Sequence, residues 1–458
     1  MNLKRKIYSK LIEWKNRSNG KTALLIEGAR RIGKSTIVEK FGKENYDSFI
    51  LIDFAKATNK VKNLFYEYLN DLDRLFQNLS LEYNVRLYKR KSLIIFDEIQ
   101  KFPKARESIK YLVEDGRYDY IETGSLISIK ENVEDIIIPS EEEKIRMFPL
   151  DFEEFCIASG DELLVDYIRD CYKNLKPLDE KYHRKASILI REYMLVGGMP
   201  QSVVAYLENN RDFYEADKAK RLILELYKDD IKKASNKYKY KVSALFENIP
   251  GYLSKHEKRI TIKDITNDSN GTFKESLFWL DDSMICNVCY KCDDPNVGFA
   301  LSKNDAFVKC YMCDTGLLVS LAFSENEISD MQLYKSIMNG KLSLNEGMIH
   351  ENLISQIISS YGKKLYFYNH YAEEKHRNDI EIDFLLSNNS TINLKVIPIE
   401  VKSSKNYTII SHSKFKERFG KRISRAYVVH PKNLQVIDDC IYLPTYMFFA
   451  IFEWNCFK

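Results

Sequence analysis

Gly28-Ala29-Arg30-Arg31-Ile32-Gly33-Lys34-Ser35 matches in full the spacing of a phosphate-binding loop. Two glycines let the backbone curl until successive N–H groups face a phosphate, and a helix that opens at the lysine adds its positive end. Lys34 is then expected to reach the β- and γ-phosphates of ATP, and the Ser35 hydroxyl to ligate Mg²⁺. Thr36 completes the residues expected to touch the nucleotide. A second half of such a site follows in Leu93-Ile94-Ile95-Phe96-Asp97-Glu98. A hydrophobic strand there delivers Asp97 at its C-terminal end to hold Mg²⁺ through water, and Glu98 follows to polarise the attacking water. That carboxylate suits hydrolysis better than transfer to an acceptor, for which no site is evident. Thr123, in Thr123-Gly124-Ser125, is expected to sense the γ-phosphate from the end of the next strand. A Thr-Gly-Ser turn is also ordinary strand-exit chemistry.

A second constellation lies near the other end of the chain. On a strand, residues two apart share a face, so Glu381 projects with Asp383, and Glu400 with Lys402. If the two strands pair antiparallel about a turn centred near residue 391 or 392, Asp383 opposes Glu400. The polar run Ser387-Asn-Asn-Ser-Thr-Ile-Asn393 suits that turn. Two carboxylates and an ammonium on one face resemble the arrangement of PD-(D/E)xK nucleases, in which the acids hold Mg²⁺ and the lysine activates water. Asp383, Glu400 and Lys402 are thus candidate catalytic residues, with Asp383 and Glu400 as metal ligands and Glu351 as a further carboxylate. Alternating charges on a hairpin also form cross-strand ion pairs on a solvated face.

The elements that must position these groups are legible in outline. Residues 23–26, 49–54, 92–96 and 120–122 read as short buried strands alternating with helices, the rhythm of a parallel sheet with flanking helices. Composition breaks after Leu126, where acidic, Ile-rich sequence begins. Residues 163–240 read as amphipathic helices interrupted by a turn at Val196-Gly197-Gly198-Met199-Pro200. A winged-helix-like unit is expected next, with helices at 262–265 and 273–280 and strands across 284–290. After it come a long helix at 344–361 and strands at 364–369, 380–386, 397–402 and 425–429. The fold class is α/β, in four parts: a P-loop ATPase domain (1–160), a helical segment (161–240), a winged-helix-like part (241–305) and a mixed α/β domain (306–458).

Composition narrows the class. At 458 residues, with 45% apolar and 30% charged side chains, the chain describes a soluble multidomain protein. No apolar run reaches the roughly 18 residues that span a bilayer. The N-terminus shows no secretory pattern, so a cytoplasmic setting is expected. The nine cysteines point to reduced thiols. Cys286-x₂-Cys289 and Cys310-x₂-Cys313 stand near a zinc-ribbon spacing, but neither pair carries the glycine or proline of a metal knuckle. Both lie in apolar, strand-like sequence and read as packing residues. A net charge of +4 is too small to imply nucleic acid, although residues 394–436 carry ten Lys or Arg against two Glu. Such a block is either a footprint for a phosphate backbone or a solvated face.

Taken together, GARRIGKST, LIIFDEIQ, ETGSLI, MFPLDFEEF and VGGMP resemble the AAA-type ATPases that carry a C-terminal restriction-endonuclease-like domain of unknown function. Cys310-Tyr-Met-Cys-Asp314-Thr315-Gly316, Asn345-Glu-Gly347 with Glu351-Asn352, and the two acidic strands extend the resemblance over nearly the whole chain. It implies ATP binding and hydrolysis by Lys34, Ser35, Asp97 and Glu98. One departure is that Pro139-Ser140-Glu141-Glu142-Glu143 stands where many relatives carry a Gly-Arg pair, which leaves Arg146 as the nearest arginine. The expected partners are ATP, DNA and further copies of the chain, with no membrane. The rival expectation is an ATP-dependent switch that binds a protein, its last domain an inactive scaffold.

Overall fold

A computed structural model describes residues 1, 3–124, 140–233, 239–255, 260–261, 270–296, 298–325, 331–339, 346–372, 377–388 and 395–452. It divides into two units, one of Lys4–Phe148 and one of Pro149–Asp281 with Ile285–Glu453.

In the first unit the order is α1 (Ile7–Ser18), β1 (Ala23–Glu27), α2 (Lys34–Asn45), β2 (Ser48–Asp53), α3 (Asn59–Glu67), α4 (Leu72–Tyr83), β3 (Ser92–Asp97), α5 (Pro103–Asp115), β4 (Asp119–Gly124) and β5 (Glu142–Arg146). The strands form one sheet, β2-β3-β4-β1-β5, parallel throughout. A parallel sheet is covered on both faces, which is why β1, β3 and β4 are buried along their whole length. Leu25, Ile52, Phe54, Phe96 and Ile109 build the core on one face. Because β4 lies between β1 and β3, the chain segments leaving these three strands stand side by side at one edge of the sheet. Strand β5 escapes sequence reading, since Glu142-Glu143-Lys144-Ile145-Arg146 has the polar character of a protected edge. The acidic segment before it, 125–139, lies outside the described residues.

An ionic cluster is buried under that edge. Arg106 of α5 donates to both oxygens of Glu142, at 3.0 and 2.9 Å. Glu122 of β4 is fully buried beside them, with Glu142 as its neighbour. Burial, then the neighbouring Glu142, pushes the Glu122 carboxyl well above the ordinary carboxylate range. Burial also opposes the charge on Glu142, but Arg106 outweighs it and holds that carboxyl low.

The second unit begins with helices α6 (Phe152–Ala158), α7 (Glu162–Lys173), α8 (Glu180–Val196), α9 (Pro200–Glu208), α10 (Phe213–Ile231), α11 (Lys239–Glu247) and α12 (Ile249–Ser254). It continues through β6 (Ile260–Thr261), α13 (Asn270–Asp282), β7 (Cys286–Cys292), β8 (Lys303–Met312), α14 (Thr315–Ala322), α15 (Met331–Met338) and α16 (Glu346–Ser360). The chain ends in β9 (Leu365–Ala372), β10 (Arg377–Asn388), β11 (Lys395–Val401), α17 (Ile410–Phe419), β12 (Ala426–His430), β13 (Gln435–Ile437) and β14 (Cys440–Pro444). All nine strands join one mixed sheet, β13-β14-β12-β11-β10-β9-β7-β8-β6.

This sheet bears on the expected division at 305/306, which falls inside β8. The helix expected at 262–265 lies outside the described residues, and the one at 273–280 corresponds to α13. The strands expected after it become β7, which pairs with β8 on one side and runs parallel to β9 on the other. The winged-helix-like segment therefore shares its sheet with the C-terminal one. Cys286, Cys289, Cys310 and Cys313 are all buried here. Val196-Gly197-Gly198-Met199-Pro200 is a packing device: Asp314, fully buried, accepts from the Gly198 N–H at 2.5 Å, from the Leu317 N–H at 2.9 Å and from Gln356 at 3.2 Å. Gly198 also passes so close to Leu150 that a Cβ there would fall 1.9 Å from its carbonyl oxygen. Among the described residues no helix is long and apolar enough to cross a membrane.

Candidate nucleotide site and the C-terminal acids

The loop after β1 turns into α2 at Gly33, whose φ of +93° is a left-handed conformation that side chains resist. Lys34 opens the helix and is 8% exposed. Its ammonium donates to the carbonyls of Gly28 and Ala29 at 2.9 and 2.8 Å. Burial drops its pKa to about 8, against the pull of Glu98 and Asp97. Ala29 and Ile32 pack inside, Arg30 is half-buried, and Arg31 and Thr36 are exposed. One support of the loop lay outside the motif: Arg5 donates to the Ile32 carbonyl at 2.9 Å and to the Phe148 carbonyl at 2.6 Å. Its only trace in the sequence is an arginine among other basic residues near the start.

The edge-by-edge arrangement of β1, β4 and β3 brings three polar groups together. Ser35 Oγ donates to Asp97 Oδ1 at 2.9 Å, and Thr123 Oγ1 donates to the same oxygen. Thr123 thus meets Asp97 directly, where the sequence suggested a contact with phosphate. Glu98 follows in a left-handed conformation, φ +53°, uncommon for a side chain of its size. Gln100 donates to its Oε2 at 2.5 Å. Strained backbone held this way is a feature of functional sites. A hydroxyl and a carboxylate at hydrogen-bond distance are the hard oxygen donors that Mg²⁺ takes, and a buried ammonium at a helix start suits a polyphosphate, so this donor set fits Mg·ATP. Arg146, at the end of β5, lies near Glu27 and helps to lower a carboxyl that burial raises.

In the second unit, β10 and β11 pair antiparallel with Phe384 opposite Ile399, which centres the hairpin between residues 391 and 392. The loop itself, 389–394, lies outside the described residues. Asp383 Oδ2 accepts from the Val401 N–H at 2.8 Å, so Asp383 reaches the strand that carries Glu400. Glu400 is 4% exposed and 2.6 Å from the Lys402 ammonium. Burial, partly offset by Lys402, pushes its carboxyl up to about 7.

Lys309 of β8 was not anticipated. It is 1% exposed, with its ammonium 3.2 Å from Glu381 and 3.6 Å from Asp383. Burial opposes its charge, but Glu381, Glu351 and Asp383 hold the ammonium above its ordinary range. Glu351 is buried on α16 and accepts from the Tyr311 hydroxyl at 3.2 Å. Among the described residues no group of three or more His, Cys, Asp or Glu side chains is placed to hold a metal ion. Lys402 pairs with Glu400 as the spacing suggests, but the Lys309 ammonium between Glu381 and Asp383 does not fit the Mg²⁺ expected at Asp383.

Residues 20–156 match the profile of an AAA domain, which spans the loop, Asp97–Glu98 and Thr123. Residues 188–328 and 343–448 match two domains of unknown function, DUF8612 and DUF4143. Over residues 20–156 the chain is thus similar to AAA-type domains, which supports a P-loop ATPase. No curated protein matches the chain. Among solved structures it is similar to an ORC1 protein of Aeropyrum pernix in complex with DNA, at 13% identity over 71% of this chain and 93% of that one, TM-score 0.28. PCH-2 of C. elegans follows at 12% identity, 48% and 65% coverage and TM-score 0.24. The Hef helicase domain of Pyrococcus furiosus shows 17% identity, 62% and 70% coverage and TM-score 0.18. Likenesses of this size carry nothing about the function of this chain.

Proposed function

We propose that the chain binds Mg·ATP between Gly28 and Thr36, hydrolyses it, and couples turnover to DNA held by the second unit. The observation that carries the ATPase reading is the Asp97 carboxylate, which accepts from Ser35 and Thr123 beside the buried Lys34 ammonium. Lys34 leaves the Gly28 and Ala29 carbonyls for the phosphate oxygens, and the loop amides and the start of α2 orient the chain of phosphates. Ser35 and Asp97 would hold Mg²⁺, which neutralises charge on the β- and γ-phosphates. Glu98, fixed by Gln100, orients the attacking water and draws off its proton. Thr123 keeps Asp97 turned toward Ser35.

The block of basic residues at 394–436 and the mixed sheet support a DNA-binding role for the C-terminal part, in the restriction-endonuclease-like manner the sequence suggests. Lys309 favours binding over cleavage there, because Glu381 and Asp383 already share a cation. The rival reading, a switch for a protein partner, is separated by one assay. ATP turnover is measured with and without single- and double-stranded DNA, in wild type, Lys34→Ala and Glu98→Gln. Stimulation by DNA in wild type alone is expected. Turnover indifferent to every DNA refutes the coupling, and turnover that survives Lys34→Ala refutes the site.

A further inference from the structure

A cleft of the second unit is lined by none of Glu381, Asp383 and Glu400. It measures about 1140 Å³, and its walls come from α7, the segment after β7, the end of α16 and strands β9, β10, β11 and β12. Among the described residues its lining includes Lys363, Lys364 and Arg425 and no Asp or Glu. In a chain with nearly balanced charge, 70 Lys and Arg against 66 Asp and Glu, so one-sided a wall is a selective feature. Aromatic rings alternate with the cations. Phe299 packs against Tyr366 with ring centroids 5.2 Å apart, and Tyr361 stacks on Phe452 at 4.4 Å. Phe299 and Tyr361 are half-buried, while Lys363 and Lys364 are exposed.

We propose that this cleft binds an unpaired nucleic-acid strand. Partly exposed aromatic faces in a concavity can stack only on bases that are not already paired and stacked in a duplex. Cations at the rim meet the backbone phosphates, and acids would repel them, so their absence from the lining fits a polyanion. Aromatic platforms with a basic groove bind single strands with little sequence preference, because every base offers a face. The volume exceeds the 300 to 1,000 Å³ of ordinary small-molecule pockets, roughly, which favours several nucleotides over one small anion. The inference deepens the reading that the second unit handles DNA and rests on it.

The test uses the full chain and a fluorescent oligothymidylate of about 16 nucleotides, the upper end of a single-fold footprint. Anisotropy is titrated at several salt concentrations, with the matching duplex and an oligouridylate as further arms. Wild type should prefer the unpaired strand, and the oligouridylate arm shows whether the 2′-hydroxyl is accepted. Lys363→Gln with Lys364→Gln should flatten the slope of log affinity against log salt by about 1.4, two phosphate contacts at roughly 0.7 each. Phe299→Ala should weaken binding about tenfold or more, while Phe299→Trp should keep it. Circular dichroism confirms that each variant is folded. If the variants bind as wild type does, or the duplex binds equally well, the cleft is not the site, although DNA handling stands. If no nucleic acid of any form binds, the reading on which the inference rests falls with it.

Discussion

Glu400 offers the sharpest quantitative test of the C-terminal charge cluster. Its carboxyl is 4% exposed and titrates near 7 in the folded chain, against an ordinary value of 4.5. Between those two pH values the folded chain holds a proton that the unfolded chain has released. Raising the pH through this window strips that proton and costs stability. A separation of about 2.5 pH units corresponds to about 3 kcal/mol. Glu400→Gln keeps the shape and an acceptor for Lys402 but cannot ionise. The variant should match wild type near pH 4.5 and exceed it by about 3 kcal/mol at pH 8. Urea unfolding followed by near-ultraviolet circular dichroism, at half-unit pH steps, gives the difference curve, in which the other titrating groups cancel. A wild type as stable as Glu400→Gln at pH 8, or more so, would refute the reasoning. It would mean that the ion pair with Lys402 outweighs burial.

Other outcomes follow from the first unit and the packing around Asp314. Mg·ATP at about 100 times its dissociation constant should raise apparent stability by about 2.7 kcal/mol in wild type and in Glu98→Gln, and not in Lys34→Ala; differential scanning fluorimetry reads this directly. Because the buried Lys34 loses its proton near pH 8, nucleotide affinity should hold below that pH and weaken roughly tenfold per pH unit above it in calorimetric titrations. Arg106→Met should destabilise the first unit by about 3–5 kcal/mol, since it strands Glu142 beside Glu122, and adding Glu142→Gln should recover part of the loss on chemical denaturation. Gly198→Ala should cost several kcal/mol or prevent folding, because its Cβ would collide with the Leu150 backbone, and expression with thermal melting shows which.

The first unit was legible because its signals are local. A buried apolar strand, a loop of fixed spacing and a helix stand consecutively in the chain, and so do the strand and acids of Leu93–Glu98. What escaped there is what locality cannot carry. Strand β5 is too polar to read as a strand, and Arg5 reaches the loop from 27 residues away. Glu122 looks like a strand end in the sequence, and only the sheet shows it sealed against Glu142. In the second unit β8 runs across the expected division at 305/306. Pairing of β7 with β9 joins residues 76 apart, as Cys289 does with Leu365, and no periodicity announces that contact.

The C-terminal acids show how far spacing reaches and where it stops. The shared faces of Glu381 with Asp383 and Glu400 with Lys402, and the centre of the hairpin between them, follow from a period of two and the length of the loop. Their convergence alone would argue for a metal, because like charges repel unless a cation lies between them. The cation present is Lys309, more than 70 residues earlier in the chain and reached only when the sheet is assembled. Its one signal was a lysine inside the otherwise apolar run Phe307-Val308-Lys309-Cys310-Tyr311. Buried lysines are rare unless paired, so that residue already implied acids somewhere facing it. A divalent ion entering the cluster would have to displace an ammonium held by two carboxylates and leave it buried without them. Removing one partner from a buried pair costs about 3–5 kcal/mol, a penalty that a metal must overcome before it binds at all. The same lysine that reconciles the acids with burial therefore raises the cost of a metal at this cluster.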